Sequence, residues 1–277
     1  MTLSERNKIF RICFFIPVII LVGMAFVSVF VMPVYSAVFN EASHRPTGFI
    51  QNFVAQYSLP QTFAPFAAII CAVLYSLIAT IFIYFRFQKT QSPEILYICF
   101  FVLSFAFEGT RIMLPIKAHF DLPGIYLIMA SRVLFFGRYF GFFALFAASV
   151  YAAGLEIQKQ RPTLAAIALL TLVLSINMPI DGLSWDTALV MSSGYNTMFT
   201  IVNIGISLIT LVSFAIASYS RGLKEYLYIC LGAFLVLLGR NILFSADTWL
   251  TLFPAMIILI AGTWFICKKL HKVYLWF

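Results

Sequence analysis

The sequence predicts an all-α integral membrane protein, a polytopic bundle of eight transmembrane helices. Composition, the spacing of apolar runs and the placement of basic residues each point there. Of the 277 residues, 62% are hydrophobic and 10% charged, and the mean hydropathy is +0.99. An ordinary soluble domain carries about 25% charged residues. A helix needs roughly 20 apolar residues to cross hydrocarbon, so the chain holds about eight crossings joined by short connections.

The apolar runs fall at 12–33, 62–84, 95–114, 124–152, 164–180, 195–219, 226–244 and 249–267. The first follows a basic start, and "VYS" before Ala37 resembles a signal-peptide cleavage site. Its apolar core is about 20 residues, longer than the 7–15 of a signal segment, so a retained helix is expected. The second run ends at Arg86 and Lys89, and the third carries Glu108 and Arg111. The fourth contains Arg132 and Arg138 and is followed by Lys159 and Arg161; the sixth ends at Arg221 and Lys224. The seventh carries Arg240, and the eighth is followed by Lys268, Lys269 and Lys272.

With Arg6, Lys8 and Arg11 at the start, twelve of the 18 basic residues fall on one side of an eight-span bundle. Arg45 and Lys117 alone fall on the other, with Glu41, Asp121, Asp181, Asp186 and Asp247. Cytoplasmic connections carry the excess of Lys and Arg. The expected location is thus the cell membrane, with both termini cytoplasmic. The long connection at 34–61 is then external, a tether or a short amphipathic helix. The basic residues form no long tract, so the pI of about 9.3 does not point to nucleic acid.

The chain echoes itself. "EILYIC" at 94–99 and "EYLYIC" at 225–230 open two runs 131 positions apart, and each run reaches an arginine. At the same offset "SLI" at 76–78 meets "SLI" at 207–209; "MP" closes the first and fifth runs at 32–33 and 178–179. These coincidences predict one transmembrane domain over 1–277, built from parallel four-helix halves at 1–155 and 160–277. The alternative is shared helix-end chemistry, a glutamate at the helix start and an interfacial tyrosine. Allowing one gap, Gly109 lies on Gly239, but Glu108 lies on Leu238, so Glu108 belongs to the first half only.

Five ionisable residues fall inside runs: Glu108, Arg111, Arg132, Arg138 and Arg240. Each costs roughly 2.5–3.5 kcal/mol at mid-bilayer and needs a partner or a cavity. Helix rise puts Glu108, Arg111, Arg132 and Arg240 in the outer half, with Arg138 near the midplane. Glu108 and Arg111, three apart, are placed to pair. Convergence of the rest would make a net-positive pocket suited to an anionic ligand or lipid headgroup. In the competing reading, Arg111 and Arg240 snorkel to phosphates and Glu108–Arg111 is a clamp. For Arg138 the sequence offers Tyr139, Asn203 or a backbone carbonyl as partner.

Other chemistries lack their residues. His44, His119 and His271 all lie outside the runs, so paired haem ligation has no basis. Cys13, Cys71, Cys99, Cys230 and Cys267 show no CxxC spacing, and no lysine sits in a run to anchor retinal. There is no GxSxG, HExxH or P-loop, and acid–base catalysis would have only Glu108. No enzyme activity and no cofactor are expected.

The stretch "LYSLIATIFIYFRFQKTQSPEILYICFFVLSFAFEGTRIMLP" at 74–115 resembles the start of bacterial seven-transmembrane receptors that carry diverse intracellular signalling modules. Arg86 and Lys89, Tyr97 and Glu108-Gly109 carry the likeness over about 40 residues, and spans 2–8 match by topology alone, as a seven-helix unit with N-terminus out and C-terminus in. The resemblance implies a sensor that passes an external signal to a cytoplasmic kinase or cyclase. After Lys272 only "VYLWF" follows, so a separate protein partner is expected. The function this predicts is a receptor-like or accessory module that binds an anionic ligand or lipid in its outer half. A small-solute or lipid transporter and a structural subunit of a membrane complex are the alternatives.

Overall fold

The computed structural model describes residues 3–40, 61–87, 90, 92–180, 184–192, 194 and 196–275. Among them are nine α-helices and one isolated antiparallel bridge, Trp185 to Met191, but no strand. Helix α1 spans Leu3–Asn40, α2 Ala64–Phe87 and α3 Pro93–Leu103. A 3₁₀ segment, Ser104–Ile112, joins α3 to α4, Met113–Phe120. Then come α5 (Gly124–Ala153), α6 (Gln160–Ile176), α7 (Asn196–Arg221), α8 (Lys224–Phe244) and α9 (Trp249–Leu275).

Seven stretches are long and apolar enough to cross a membrane: those of α1, α2, the α3-to-α4 rod, α5, α7, α8 and α9. The fifth expected span is α6, which is apolar but only 17 residues long. Part of the long connection is also helical, because α1 runs on to Asn40. Tyr35, Val38 and Phe39 are buried there, and the Tyr35 ring meets Phe66 edge-on at 5.4 Å. Residues 41–60, where an amphipathic helix was one expectation, lie outside those described.

The rod from Pro93 to Phe120 is the axis of the fold, with 89% of its most apolar window buried. Pro93 starts it, its missing N–H costing nothing in a first turn, and Asp121, with φ of 48°, ends it. Every residue from Glu94 to Leu103 is buried, and Tyr75 of α2 meets Phe105 edge-on at 4.8 Å. By contrast α1 and α7 bury only 17% and 11% of their most apolar windows. Hydrocarbon is as good a solvent for leucine as another helix is, so such faces carry no penalty in a bilayer.

Glycines set the closest approaches. Gly137 and Gly141 of α5, spaced GxxxG, lie against Phe107 and Ser104 of the 3₁₀ segment, where a Cβ would have no room. A Cβ on Gly239 of α8 would lie 2.9 Å from the Leu259 backbone nitrogen of α9. The two echoed segments have unlike surroundings: Glu94 and Tyr97 are buried, whereas Tyr228 is 42% exposed.

Candidate functional site

The 3₁₀ segment carries the charged centre. A 3₁₀ run longer than three or four residues is uncommon, and its i and i+3 side chains eclipse. This run has nine residues, and it stacks Arg111 over Glu108, with Nη1 3.1 Å from Oε2. Arg138 reaches the same carboxylate from α5 through two hydrogen bonds, Nε to Oε1 at 2.7 Å and Nη2 to Oε2 at 2.8 Å. This fork-to-fork geometry is the strong form of the pair. Glu108 itself is fully buried.

Arg240 enters from α8. Its Nη2 donates to the Arg138 carbonyl at 2.7 Å, and its guanidinium lies 3.7 Å from the Phe142 ring centre and 4.6 Å from that of Phe244. Ring faces attract a desolvated cation. Arg240 Nε, and Nε and Nη2 of Arg111, are buried without hydrogen-bond partners among the described residues. Arg111 and Arg240 are 3% and 2% exposed, so neither snorkels out of the bundle.

The sequence expectation paired Glu108 with Arg111 and set Arg138 deeper. Glu108 in fact joins both. The rod ends at Phe120, six residues beyond the expected end of the run. From there Glu108 lies about 20 Å down, eight steps at 1.5 Å and four at 2.0 Å. Arg138 lies about 21 Å below the start of α5 at Gly124, the same level. Arg132 does not join them. Its carbonyl accepts a hydrogen bond from Ser175 of α6, its Nε is buried without a partner, and it does not line the neighbouring cavity.

That cavity, of about 590 Å³, lies among α5, α7, α8 and the 184–192 segment, with Arg138 and Arg240 in its wall. Tyr139, Asn203 and Asn241 add polar groups, and Asn203 Oδ1 is buried without a partner. Asp186 also lines it, its Oδ1 accepting the Val190 N–H at 2.8 Å. Burial pushes the Asp186 carboxyl above the usual carboxylate range, against the pull of Val190, Arg111 and Arg138. Three arginines against Glu108 and Asp186 leave the site one positive charge. Tyr139 and Asn203, which the sequence offers as partners of Arg138, line the cavity beside it; Asp186 could not be picked out from the sequence, because loop 184–192 meets α5 only in the folded bundle.

A second ionic cluster ties the opposite end of the bundle. Tyr226 donates to buried Glu94 at 3.1 Å, and Arg221 lies 3.7 Å from the same carboxylate. Arg221 also donates to the Tyr226 hydroxyl at 2.9 Å and the Tyr151 carbonyl at 3.0 Å. Glu225, the echo of Glu94, instead accepts from Lys272 at 2.9 Å. Among the described residues no group of three or more His, Cys, Asp or Glu could hold a metal.

These features are consistent with a multi-pass helical membrane protein built around a buried Glu–Arg centre. The sequence matches no protein-family model and no curated protein.

Proposed function

We propose that the protein is a receptor-like or accessory membrane module that binds an anion in the arginine-lined cavity and acts through a separate protein partner. One observation carries this reading: Arg240 is buried, lines the cavity and has an unpartnered Nε. Glu108 already holds Arg138 and Arg111, so the residual positive charge falls to an incoming anion. The likeness of 74–115 to the bacterial seven-transmembrane receptors supports a sensing role.

The proposed topology has eight spans, α6 included, with both termini cytoplasmic and the cavity in the outer half of the cell membrane. Basic residues gathered at one set of helix ends support it. The proposed tandem repeat is supported by equivalent packing, the rod against α5 and α8 against α9.

Native mass spectrometry of the gently solubilised protein tests the anion. A small anionic adduct is expected on the wild type and on Arg132→Ala, and absent from Arg240→Gln. An adduct indifferent to Arg240→Gln, or no adduct in any sample at saturating added phosphate or acetate, sinks the reading. Flux of the bound anion across vesicles would convert it to transport.

A further inference from the structure

The cavity wall is polar at one end and apolar at the other. Along α7 it runs from Thr200 and Asn203 to Leu211, and along α8 from Asn241 and the C-cap Ser245 back to Phe234. Eleven residue steps on each side make it about 16 Å long at 1.5 Å per residue. Arg240 and Arg138 stand in its polar part, the latter with 18% of its side chain exposed. Below them the lining is Leu208, Leu211, Phe234, Leu237 and Leu238, with Ser207, whose hydroxyl is taken up by the Asn203 carbonyl at 2.8 Å.

The apolar part also has a side opening. Ile204 and Leu208 of α7 and Phe234 of α8 line the cavity while remaining 55%, 57% and 48% exposed on the outer surface of the bundle. They lie well inside helices long and apolar enough to span a membrane, so that surface faces acyl chains. An aqueous ion needs no apolar shaft beneath its charge site, and from Arg240 to Phe234 this one runs about 9 Å. A hydrocarbon tail does need one: an apolar lining solvates it as well as the bilayer it leaves, so it can stay attached to a bound head without being pushed into water.

We infer that the cavity takes a single-chain anionic amphiphile from the bilayer, its carboxylate or phosphate head at Arg240 and Arg138 and its tail between α7 and α8. The inference rests on the anion-binding reading above and adds the tail and the route. The entrance lies between Leu208 and Phe234. Asn203 lines the polar part, where its Nδ2 amide can donate to the head, and a monoanion neutralises the one residual charge. Asp186 disfavours a dianion, so the carboxylate and the phosphate monoester monoanion are the fitting heads.

The full chain in phosphatidylcholine nanodiscs, titrated under native mass spectrometry, decides the matter. Palmitate, hexadecyl phosphate, hexadecanol and acetate are the probes. Palmitate is expected to half-saturate at least tenfold below acetate, with hexadecanol bound no better than acetate. Palmitate against hexadecyl phosphate identifies the preferred head. Leu208→Trp, on an exposed position that folding tolerates, is expected to weaken palmitate at least fivefold and leave acetate unchanged. Acetate binding as well as palmitate would overturn the tail and leave the anion site standing. Hexadecanol binding as well as palmitate would overturn the anion site. Binding of none of them would overturn both.

Discussion

Arg138 of α5 grips Glu108 of the 3₁₀ segment through two parallel hydrogen bonds of 2.7 and 2.8 Å. Arg111 holds the same carboxylate from three residues on, at 3.1 Å. One buried anion thus fastens two helical rods and pairs with two of three buried cations, neutralising the charge of one. Everything that loosens it leaves charge stranded in a medium that solvates charge poorly.

Removing that anion is the first prediction. Taking one partner from a buried ion pair costs about 3–5 kcal/mol, because the other charge stays buried and unpaired. Glu108→Gln is therefore expected to lower the unfolding midpoint strongly. Arg138→Met is expected to cost less, since Arg111 still balances Glu108. The double variant should recover more than about 1 kcal/mol relative to the summed single effects, the mark of contacting residues. Additive losses in thermal or SDS-induced unfolding would show that the pair does not couple.

The second prediction concerns the approach that makes the pair reachable. Gly137 and Gly141 have no space for a Cβ against Phe107 and Ser104. Gly141→Ala is expected to destabilise by about 1–3 kcal/mol through overpacking. Ser104→Gly in the same chain should restore part of that loss. A neutral Gly141→Ala measured by thermal unfolding would mean that α5 sits further from the 3₁₀ segment.

Much of this architecture was legible in the chain. Each expected apolar run corresponds to a helix, because a run of about 20 apolar residues has few other fates. The Glu108–Arg111 pair followed from spacing alone, since residues three apart share a face in either helix type. The grip of Arg138 on Glu108 does not follow, because uniform α geometry over a run ending at residue 114 puts Arg138 deeper than Glu108, whereas the rod runs on to Phe120 and is 3₁₀ over Ser104–Ile112. Nothing local in "SFAFEGTRI" announces a 3₁₀ segment. The GxxxG at Gly137 and Gly141 was in plain view and marks the close approach. Arg132 is misleading: its place in the run suggests the pocket, yet it sits two turns, about 10 Å, above the cavity-lining Tyr139 on α5 and does not line the cavity.

A third prediction turns on Asp186. Burial holds its carboxyl above the usual carboxylate range, so the folded protein binds that proton more tightly than the unfolded chain. Stability from this group is complete below the ordinary aspartate value near 4 and is lost as pH rises through the raised one. Asp247, also raised by burial and accepting from Thr187 at 2.9 Å, acts in the same direction. Asp186→Asn is expected to flatten part of the fall in melting temperature over that window. It should also tighten anion binding at neutral pH, since a negative charge leaves the wall. An unchanged melting profile together with unchanged binding would show that Asp186 is solvated.

The last prediction concerns α6, on which the span count depends. Its 17 residues give about 25 Å at 1.5 Å per residue, against a hydrocarbon core of about 30 Å. A helix slightly short for its bilayer crosses by thinning it or by lending flanking residues, at a fraction of a kcal/mol per Å. Lys159 precedes α6 and Ser192 follows it, and both are exposed. If α6 crosses, the two lie on opposite sides of the membrane and both termini share a side; if it does not, they lie together and the termini are opposed. A membrane-impermeant maleimide on intact cells is expected to label Ser192→Cys and spare Lys159→Cys until lysis. Of the five native cysteines, three are buried and two partly so, and the wild type fixes their background. Equal labelling of both positions before lysis would leave α6 on one side and the bundle with seven crossings.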